Sequence, residues 1–448
     1  MVLSCCNNGK SDTESETLDC ESSERPILTT KVQIHQTSLN NTIVHQNVCF
    51  LCEDDKNECD TNNWSKTLGL PVVPPSQWRS DPKYKFALRL VPYHNTMVAL
   101  AIDTLSSNSN NSKNKNIKKR KQTDSSKSAL FVELCPPLDS PMGRRVAAAS
   151  ADKSQDLLLK AVAPWKGNDD TNRSHEGATI LDLTAGLGQD SLVLAMNGAK
   201  HVHMVERNPI VSAMLTDAFH RLELIAHSSS DPSLFPNTTE TLEWQQRHSL
   251  AKRLISKLSL SSTTDSKEWL QQRQQRQRHN FLPNDTTIIS SSKDIVVYLD
   301  PMFPPRRKSA AVKKGMAILH ELLETQQTSS SSSCNNEQER LEEEAELFQL
   351  AWDVADLRVV VKRPLKAPPI LTTNNNNYLI GKQSTTDSRT TNDPTRRQQL
   401  PTKPSYTIKG SINRWDVYVK NINNDDDDEN DDDDNNMDQN KTNNDASK

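Results

Sequence analysis

The chain has 448 residues, of which only 34% are hydrophobic, so part of it cannot belong to a packed globular core. The formal net charge is −4, but nine acidic residues lie between positions 425 and 434, which leaves the rest of the chain mildly basic. No run approaches the roughly 18 apolar residues of a membrane-spanning helix, so no transmembrane segment is predicted.

The N-terminus and the cysteines indicate the compartment. Met1–Glu24 is acidic and lacks an apolar core, so neither a secretory signal nor a transit peptide is predicted. The eight cysteines are therefore expected to be reduced thiols of a cytoplasmic protein, with an organellar location left open. Cys49, Cys52 and Cys59 resemble part of a zinc site. Because no second ligand pair follows at zinc-finger spacing, no metal is expected.

Composition divides the chain into four parts. The polar stretches offer no apolar residues at a sustained helical or strand period, so burial cannot offset the entropy cost of ordering them. The predicted parts are a disordered segment at 1–62, a small N-terminal region at 63–136 with a Ser/Asn/Lys insertion at 106–128, a main α/β domain at 137–420 with polar insertions near 271–280, 328–336 and 373–401, and a disordered acidic tail at 421–448.

The patterned segments predict strands that alternate with helices. The N-terminal region is expected to hold strands at 86–90, 97–102 and 130–134, and a helix at 152–162 follows. In the main domain the predicted strands are 179–183, 202–205, 295–299 and 358–361, the predicted helices are 190–197, 211–224, 310–323 and 337–355, and an antiparallel hairpin is expected at 406–409 and 415–420. This order favours a doubly wound, mostly parallel sheet with an antiparallel end, preceded by a small α+β region.

The first candidate site is a glycine turn between a strand and a helix, at Leu181–Asp190. Gly186 and Gly188 allow the backbone to approach a ligand closely and to take positive φ. About twenty residues on, Glu206 follows the next strand, where a carboxylate can accept hydrogen bonds from two ribose hydroxyls. This pattern suits a nicotinamide dinucleotide or S-adenosylmethionine, although Ser191 at the third glycine position weakens the dinucleotide interpretation. An ordinary tight turn is the alternative.

The second candidate site is Asp300–Pro304, directly after a predicted strand. It resembles the Asp/Asn-Pro-Pro-Tyr/Phe loop of methyltransferases that act on exocyclic or amide nitrogens. The lone pair of an aryl amine is delocalised, so the nitrogen must be held in line with the methyl donor by acceptors such as Asp300 and the Pro301 region. Phe303 could stack on the base. The alternative is a proline-rich loop that merely closes a strand.

Cations follow both of the later strands. They suit contacts with RNA phosphates, although lysines on a solvated helix are the simpler alternative. The candidates are Arg306, Arg307, Lys308, Lys313, Lys314, Lys362 and Arg363.

These segments together resemble one known family, the bacterial 16S rRNA (guanine(1516)-N2)-methyltransferases, the small-subunit rRNA methyltransferase J type. The resemblance extends from about Leu68 to Val419, interrupted by the polar insertions. The matching motifs are LDLTAGLGQDSLVLA, MVERNPIVSAMLTDA, VVYLDPMFPPRRKSAAVKKGM, RVVVKRPLKAPP and KGSINRWDVYV, with a weaker match at ALRLVPYHNTMVALAIDT and ALFVEL. The combination of VYLDPMFP, VKKGM and VVVKRP is highly specific.

The resemblance implies a class I S-adenosylmethionine-dependent fold and a set of cofactor contacts. Gln189 and Asp190 occupy the positions of an Arg-Asp pair in the family, so the glutamine removes one cation. Asp265 and Ser266 match the end of a further strand and would face the adenine. The full set implied for the cofactor is Thr184, Ala185, Gly186, Gly188, Gln189, Asp190, Glu206, Arg207, Asp265, Ser266 and Asp300.

The implied activity is transfer of one methyl group to the exocyclic N2 of a guanosine in small-subunit rRNA, with Asp300, Pro301 and Phe303 as the catalytic residues. The implied partners are small-subunit rRNA or the ribosomal subunit, without membrane or metal. Two alternatives stay open at this point. One is methylation of adenine N6 or of a glutamine amide, and the other is a non-catalytic RNA-binding assembly factor on the same fold.

Overall fold

The structure is a computed structural model, and it describes residues 47–52, 58–94, 97–104, 129–151, 156–162, 177–228, 238–261, 263–278, 294–301, 317–322, 336–370 and 400–420. The predicted insertion at 106–128, nearly all of those at 328–336 and 373–401, and the acidic tail at 421–448 lie outside these residues. The described residues all belong to one compact unit. The predicted domain boundaries remain a proposal.

The N-terminal region forms a five-stranded sheet in the order β2-β1-β3-β4-β5. Its strands are β1 (Val48–Leu51), β2 (Val72–Val73), β3 (Phe86–His94), β4 (Met97–Thr104) and β5 (Leu130–Phe131), with helices α1 (Glu58–Leu68) and α2 (Pro75–Ser80). The predicted disorder of residues 1–62 is wrong for β1, which is fully buried between β2 and β3, and for the start of α1. Four apolar residues after a long polar stretch were too few to predict a strand.

The main domain forms a seven-stranded sheet in the order β11-β12-β10-β9-β6-β7-β8. The strands are β6 (Thr179–Asp182), β7 (His201–Met204), β8 (Leu258–Leu260), β9 (Ile295–Leu299), β10 (Arg358–Pro364), β11 (Tyr406–Lys409) and β12 (Asn413–Val419). The strands from β10 to β8 are parallel, and β12 is antiparallel to both β10 and β11. This confirms the predicted doubly wound sheet with an antiparallel end.

Seven helices are described in full in the main domain. They are α3 (Pro141–Ala151), α4 (Leu157–Val162), α5 (Gln189–Met196), α6 (Pro209–His227), α7 (Thr238–Ile255), α8 (Ser266–Arg278) and α9 (Asn336–Val354), and residues 317–322 are also helical. The polar tract predicted as an insertion near 271–280 continues α8 as far as Arg278, and its side chains up to position 276 are exposed or half-buried. One helix prediction is wrong at its start. Of the helix predicted at 152–162, residues 152–155 lie outside the described residues, Asp156 is not helical, and α4 begins at Leu157.

The alternation of side chains along each strand divides the core between the two faces of the main sheet. Ile180, Tyr298 and Val360 belong to a core cluster on the face that carries α5. Their neighbours Val297 and Val361 belong to another cluster on the face that carries α9. A residue's position along its strand therefore decides which helix layer it meets.

The N-terminal sheet packs against α6 of the main domain. Leu88 and Leu100 share a core cluster with Val211 and Leu215 of that helix. The backbone N–H of Leu100 donates to the carboxylate of Asp217 on α6, at 3.0 Å. The two sheets are therefore joined through one shared core.

The segment after β10 is tied to β12 by Arg414. Its guanidinium donates to the carbonyls of Pro364 and Leu365 and forms a bidentate pair with Asp416, at 2.8 and 2.9 Å. Ile370 is buried in the core on the α9 face, and Leu400 packs against the same core. The loop after β10 is therefore held to its neighbouring strand.

Candidate active site

The glycine turn after β6 has the predicted backbone conformation. Gly186 and Gly188 have φ of 53° and 69°, which L-residues rarely adopt. The N–H of Ala185 donates to the Val205 carbonyl at 3.1 Å, and the N–H of Gly186 donates to the Glu206 carboxylate at 2.8 Å. The end of β7 thus fixes the turn at the carboxyl edge of the sheet.

Glu206 lies beside this turn with its carboxylate largely buried. One oxygen accepts from Gly186 and the other accepts from the backbone N–H of Asn208 at 2.7 Å. Burial raises the pKa of Glu206, although the two backbone N–H groups oppose the rise. Each carboxylate oxygen can accept more than one hydrogen bond, so the side chain still has acceptor capacity for a ligand hydroxyl.

The loop before α8 lies close to the same turn. The Ser266 hydroxyl donates to the carbonyl of Leu183. Asp265 caps the start of α8 by accepting from the backbone N–H of Lys267 at 2.9 Å. Ser266 therefore lies beside the turn, and Asp265 stands next to it, partly exposed. Their contacts with the adenine stay predictions.

Asp300 follows β9 and is held at the same edge by two contacts. Its backbone N–H donates to the Thr184 hydroxyl oxygen at 2.6 Å. One oxygen of its carboxylate accepts from the Lys362 ammonium at 2.7 Å. The structure thus joins the glycine turn to the Asp-Pro loop, as the sequence predicted, with Pro301 next in the chain. Phe303, Arg306, Arg307, Lys308, Lys313 and Lys314 lie outside the described residues.

Asp190, in the first turn of α5, accepts hydrogen bonds from three side chains. Arg145 donates to one carboxylate oxygen at 3.1 Å, while the Tyr298 hydroxyl and the Lys362 ammonium donate to the other at 2.8 and 2.9 Å. Burial alone would raise the pKa of Asp190, but the charges of Lys362 and Arg145 outweigh it and lower the pKa to about 2. Asp190 is therefore an ionised anchor within the site.

Asp182, at the end of β6, lies beneath these groups. It accepts from the backbone N–H of Thr184 at 3.2 Å and from the Ser191 hydroxyl. Burial raises the pKa of Asp182 to about 7. Three carboxylates and two cations, Lys362 and Arg145, therefore meet at this edge of the sheet.

Comparison with known proteins identifies the family. The family model described as "Putative SAM-dependent methyltransferase" matches residues 95–230 and 241–389, more than half of the chain. The chain belongs to this family. The fold of this SAM-dependent methyltransferase family is class I, in agreement with the strand order of the main sheet, and its cofactor is S-adenosylmethionine.

Several relatives share one name, ribosomal RNA small subunit methyltransferase J. The relative from Cellvibrio japonicus is 32% identical over 242 residues, which cover 54% of this chain and 61% of that protein. The relative from Saccharophagus degradans is 33% identical over 208 residues, covering 46% and 60%. The chain thus spans about three-fifths of the length of these curated relatives.

One solved structure is also similar. It is a SAM-dependent methyltransferase from Neisseria gonorrhoeae, 21% identical, covering 83% of this chain and 95% of that chain with a TM-score of 0.39.

Within the described residues, no helix is long and apolar enough to cross a membrane. In the same part of the chain, no group of three or more His, Cys, Asp or Glu side chains could hold a metal ion.

The residues beside the glycine turn fit the family's cofactor. A Cβ built on Gly186 would meet no described atom nearer than the Thr184 carbonyl oxygen, at 3.9 Å, so one side of the turn is open to a ligand. The buried carboxylate of Glu206 borders the turn, and the first turn of α5 presents backbone N–H groups there. Gln189 and Arg207 are exposed beside these groups. Their predicted contacts with the cofactor stay predictions.

One predicted RNA contact is wrong. Arg363 is only 2% exposed and forms an ion pair with Glu344 of α9 at 3.2 Å, so it cannot reach a phosphate from this position. Lys362, its neighbour, points to the opposite face and binds Asp190 and Asp300 inside the site. The two side chains diverge because successive residues of a strand face opposite sides of the sheet.

Sequence reasoning missed two members of the site, Arg145 and Tyr298. Tyr298 stands in a buried strand, where an apolar role is the ordinary expectation. Arg145 lies on α3, for which no helix was predicted. Only the alternation along IVVYL, which puts Tyr298 on the same face as Asp300, could have indicated one of them.

Proposed function

We propose that the chain is a methyltransferase that transfers one methyl group from S-adenosylmethionine to the exocyclic N2 of a guanosine in small-subunit rRNA. Family membership supports the cofactor, and the name shared by the curated relatives supports rRNA as the substrate. The observation that carries the proposal is Asp300, an acceptor fixed against the cofactor turn by Thr184. We infer a cytoplasmic location, which cell fractionation would test.

The chemistry follows from the needs of an aryl amine. When bound, S-adenosylmethionine supplies an electrophilic methyl group carried by a sulfonium. Bond formation between the amine nitrogen and that carbon would release the sulfur with its electron pair, with the cofactor held beside the glycine turn and Glu206. Asp300 accepts a hydrogen bond from the amine, which orients the nitrogen lone pair. The proton that the nitrogen loses passes to Asp300 or to solvent.

The guanosine must be unpaired or turned out of its stack to reach this edge of the sheet. We propose that Pro301 stiffens the loop that receives it and that Phe303 stacks on the base. The cations Arg306, Arg307, Lys308, Lys313 and Lys314 remain the proposed phosphate contacts, because Arg363 is buried and Lys362 is paired within the site.

The test is methyl transfer from labelled S-adenosylmethionine to small ribosomal subunits, followed by mass spectrometry of the nucleosides. We expect N2-methylguanosine with the unchanged chain and at least a 10²-fold lower rate with Asp300→Ala, because the acceptor that orients the amine is lost. Equal circular dichroism and an equal urea unfolding midpoint would show that this variant is folded. Unchanged methylation by Asp300→Ala would refute the assignment of Asp300.

The same experiment separates the alternatives. N6-methyladenosine as the product, or methylation of a glutamine amide in a ribosomal protein, would replace the guanosine substrate and leave the loop chemistry in place. Absence of measurable S-adenosylmethionine binding by titration calorimetry would instead favour a non-catalytic RNA-binding factor.

A further inference from the structure

Lys362 occupies a central position in the candidate site. It lies near the end of β10, where Val361 pairs with Leu299 of β9, so the next residues of the two strands meet at the carboxyl edge. Its ammonium lies 2.7 Å from an Asp300 oxygen and 2.9 Å from an Asp190 oxygen. One cation therefore links the first turn of α5 to the Asp-Pro loop.

The Asp190 end of this link has further hydrogen-bond partners. Arg145 and Tyr298 donate to the Asp190 carboxylate from α3 and β9, and Arg145 is in turn paired with Asp156 at 3.1 Å. Asp190 is therefore held by partners other than Lys362. The Lys362 ammonium is therefore held on one side by Asp190 of α5, which is itself bonded to residues of α3 and β9.

The Asp300 end is the open one. Its backbone is fixed by Thr184, and one carboxylate oxygen accepts from Lys362. In the described part of the chain, no donor is bonded to the other oxygen, and 36% of the side chain is exposed. The Asp300 carboxylate is thus held through one oxygen, and its other oxygen can accept a hydrogen bond from a ligand.

We propose that Lys362 is a positioning residue, which orients the Asp300 carboxylate so that its other oxygen accepts a hydrogen bond from the substrate amine. This inference rests on the proposed methyl transfer. It gives Lys362 a function in catalysis in place of the RNA contact that the sequence suggested. Lys362 acts through Asp300 and needs no contact with the substrate.

The surrounding charges give the ammonium a second effect. Burial raises the pKa of Asp300 and the Asp190 carboxylate adds to the rise, while Lys362 opposes both. Without the ammonium, Asp300 would take up a proton at a higher pH, and a protonated carboxyl presents a donor where the amine needs an acceptor. The titratable and charged groups facing this cluster from the described elements are Arg145 of α3, Asp182 of β6, Asp190 of α5, Tyr298 of β9 and Lys362 of β10.

The experiment compares Lys362→Met, Lys362→Arg and the control Lys160→Met, which removes an exposed lysine from α4. Methyl transfer is measured in single turnovers across pH, and S-adenosylmethionine affinity by calorimetry. We expect Lys362→Met to lower the rate about 10²-fold and to move the acid limb of the profile to higher pH, with cofactor affinity within about twofold. Lys362→Arg should return the acid limb towards its original pH, because it keeps the charge.

Two failures are distinguishable. If the unchanged chain transfers no methyl group to the subunits, the proposed function fails. The inference is overturned if the unchanged chain is active but Lys362→Met leaves the acid limb of the pH profile in place. It is also overturned if the rate falls only in proportion to the fraction of protein that is no longer folded. In either case Lys362 is a structural ion-pair partner. Loss of cofactor binding in Lys362→Met would also overturn it, because the lysine would then serve the cofactor site.

Discussion

The two glycines of the turn after β6 have different surroundings. Among the described atoms, a Cβ on Gly186 would meet only the Thr184 carbonyl oxygen, at 3.9 Å, whereas a Cβ on Gly188 would lie 3.1 Å from a methyl carbon of Leu215 and 3.2 Å from one of Leu134. The positive φ of both residues penalises any side chain. Substitution at the two positions therefore separates ligand binding from stability.

For Gly186→Ala we expect the free energy of unfolding to fall by only about 1 kcal/mol, from backbone strain alone. The new methyl group would enter the space proposed for the cofactor, so S-adenosylmethionine affinity should fall about tenfold or more. For Gly188→Ala we expect a loss of about 2 kcal/mol or more, since the methyl group is crowded by packed side chains. Urea unfolding and titration calorimetry measure both quantities. Cofactor affinity of Gly186→Ala equal to that of the unchanged chain would place the ligand elsewhere.

The residues of the site differ in how far the sequence could predict them. Gly186, Glu206 and Asp300 were predictable because each follows a recognisable strand, and the carboxyl ends of parallel strands meet at one edge. The contact between Arg145 and Asp190 was not predictable, because it joins two helices that 37 intervening residues separate in the chain. No periodicity within either helix indicates that contact.

At the level of the elements, β10 and α9 are joined by the ion pair between Arg363 and Glu344. Both side chains are buried, and Arg340 also donates to Glu344 at 3.4 Å. From the sequence alone, Lys362 and Arg363 at the end of a buried strand are expected to be two surface cations. In the structure β10 continues through Pro364, so Lys362 and Arg363 point to opposite faces of the sheet. The predicted strand ended at position 361 and did not show this.

We expect Arg363→Met to lower the free energy of unfolding by about 3 kcal/mol, because removal of one partner leaves a buried carboxylate without its main countercharge. The affinity of the folded protein for RNA should not change, since the arginine is covered by α9. Urea unfolding and filter binding to rRNA measure the two effects.

The matched control is Lys366→Met, at an exposed position of the following loop. It should leave the unfolding free energy within about 0.5 kcal/mol. A drop in RNA affinity for Arg363→Met, without any loss of stability, would restore the surface role.

Across the whole molecule, Arg221 of α6 joins the two sheets. It pairs with Asp217 at 2.9 Å, donates to the Val132 carbonyl at 2.6 Å and lies over the Tyr93 ring at 4.4 Å. Asp217 in turn accepts from the backbone of Leu100. One buried arginine thus holds the central strand β3 and the segment after the edge strand β5 against the main domain.

We expect Arg221→Met to destabilise the protein by about 3 kcal/mol, since it leaves the Asp217 carboxylate without its cation and the Val132 carbonyl without its donor. The amides of β4 should then exchange with deuterium earlier than those of β9, because the N-terminal sheet would separate first. Hydrogen-exchange mass spectrometry measures the order. Arg253→Met on α7, at an exposed position, is the control and should behave as the unchanged chain. Simultaneous exchange in β4 and β9 would show that the sheets unfold as one unit.

Ile370 and Leu400 both pack against the core on the α9 face, and Arg414 holds the backbone just before the first of them. Ile370 and Leu400 are thus held by their own packing, whatever sequence connects them. A fluorescent reporter or an affinity tag could be grafted between these positions and would leave Lys362 and its partners in register. A change in the length of this connection is therefore expected to cost little at the neighbouring strand ends.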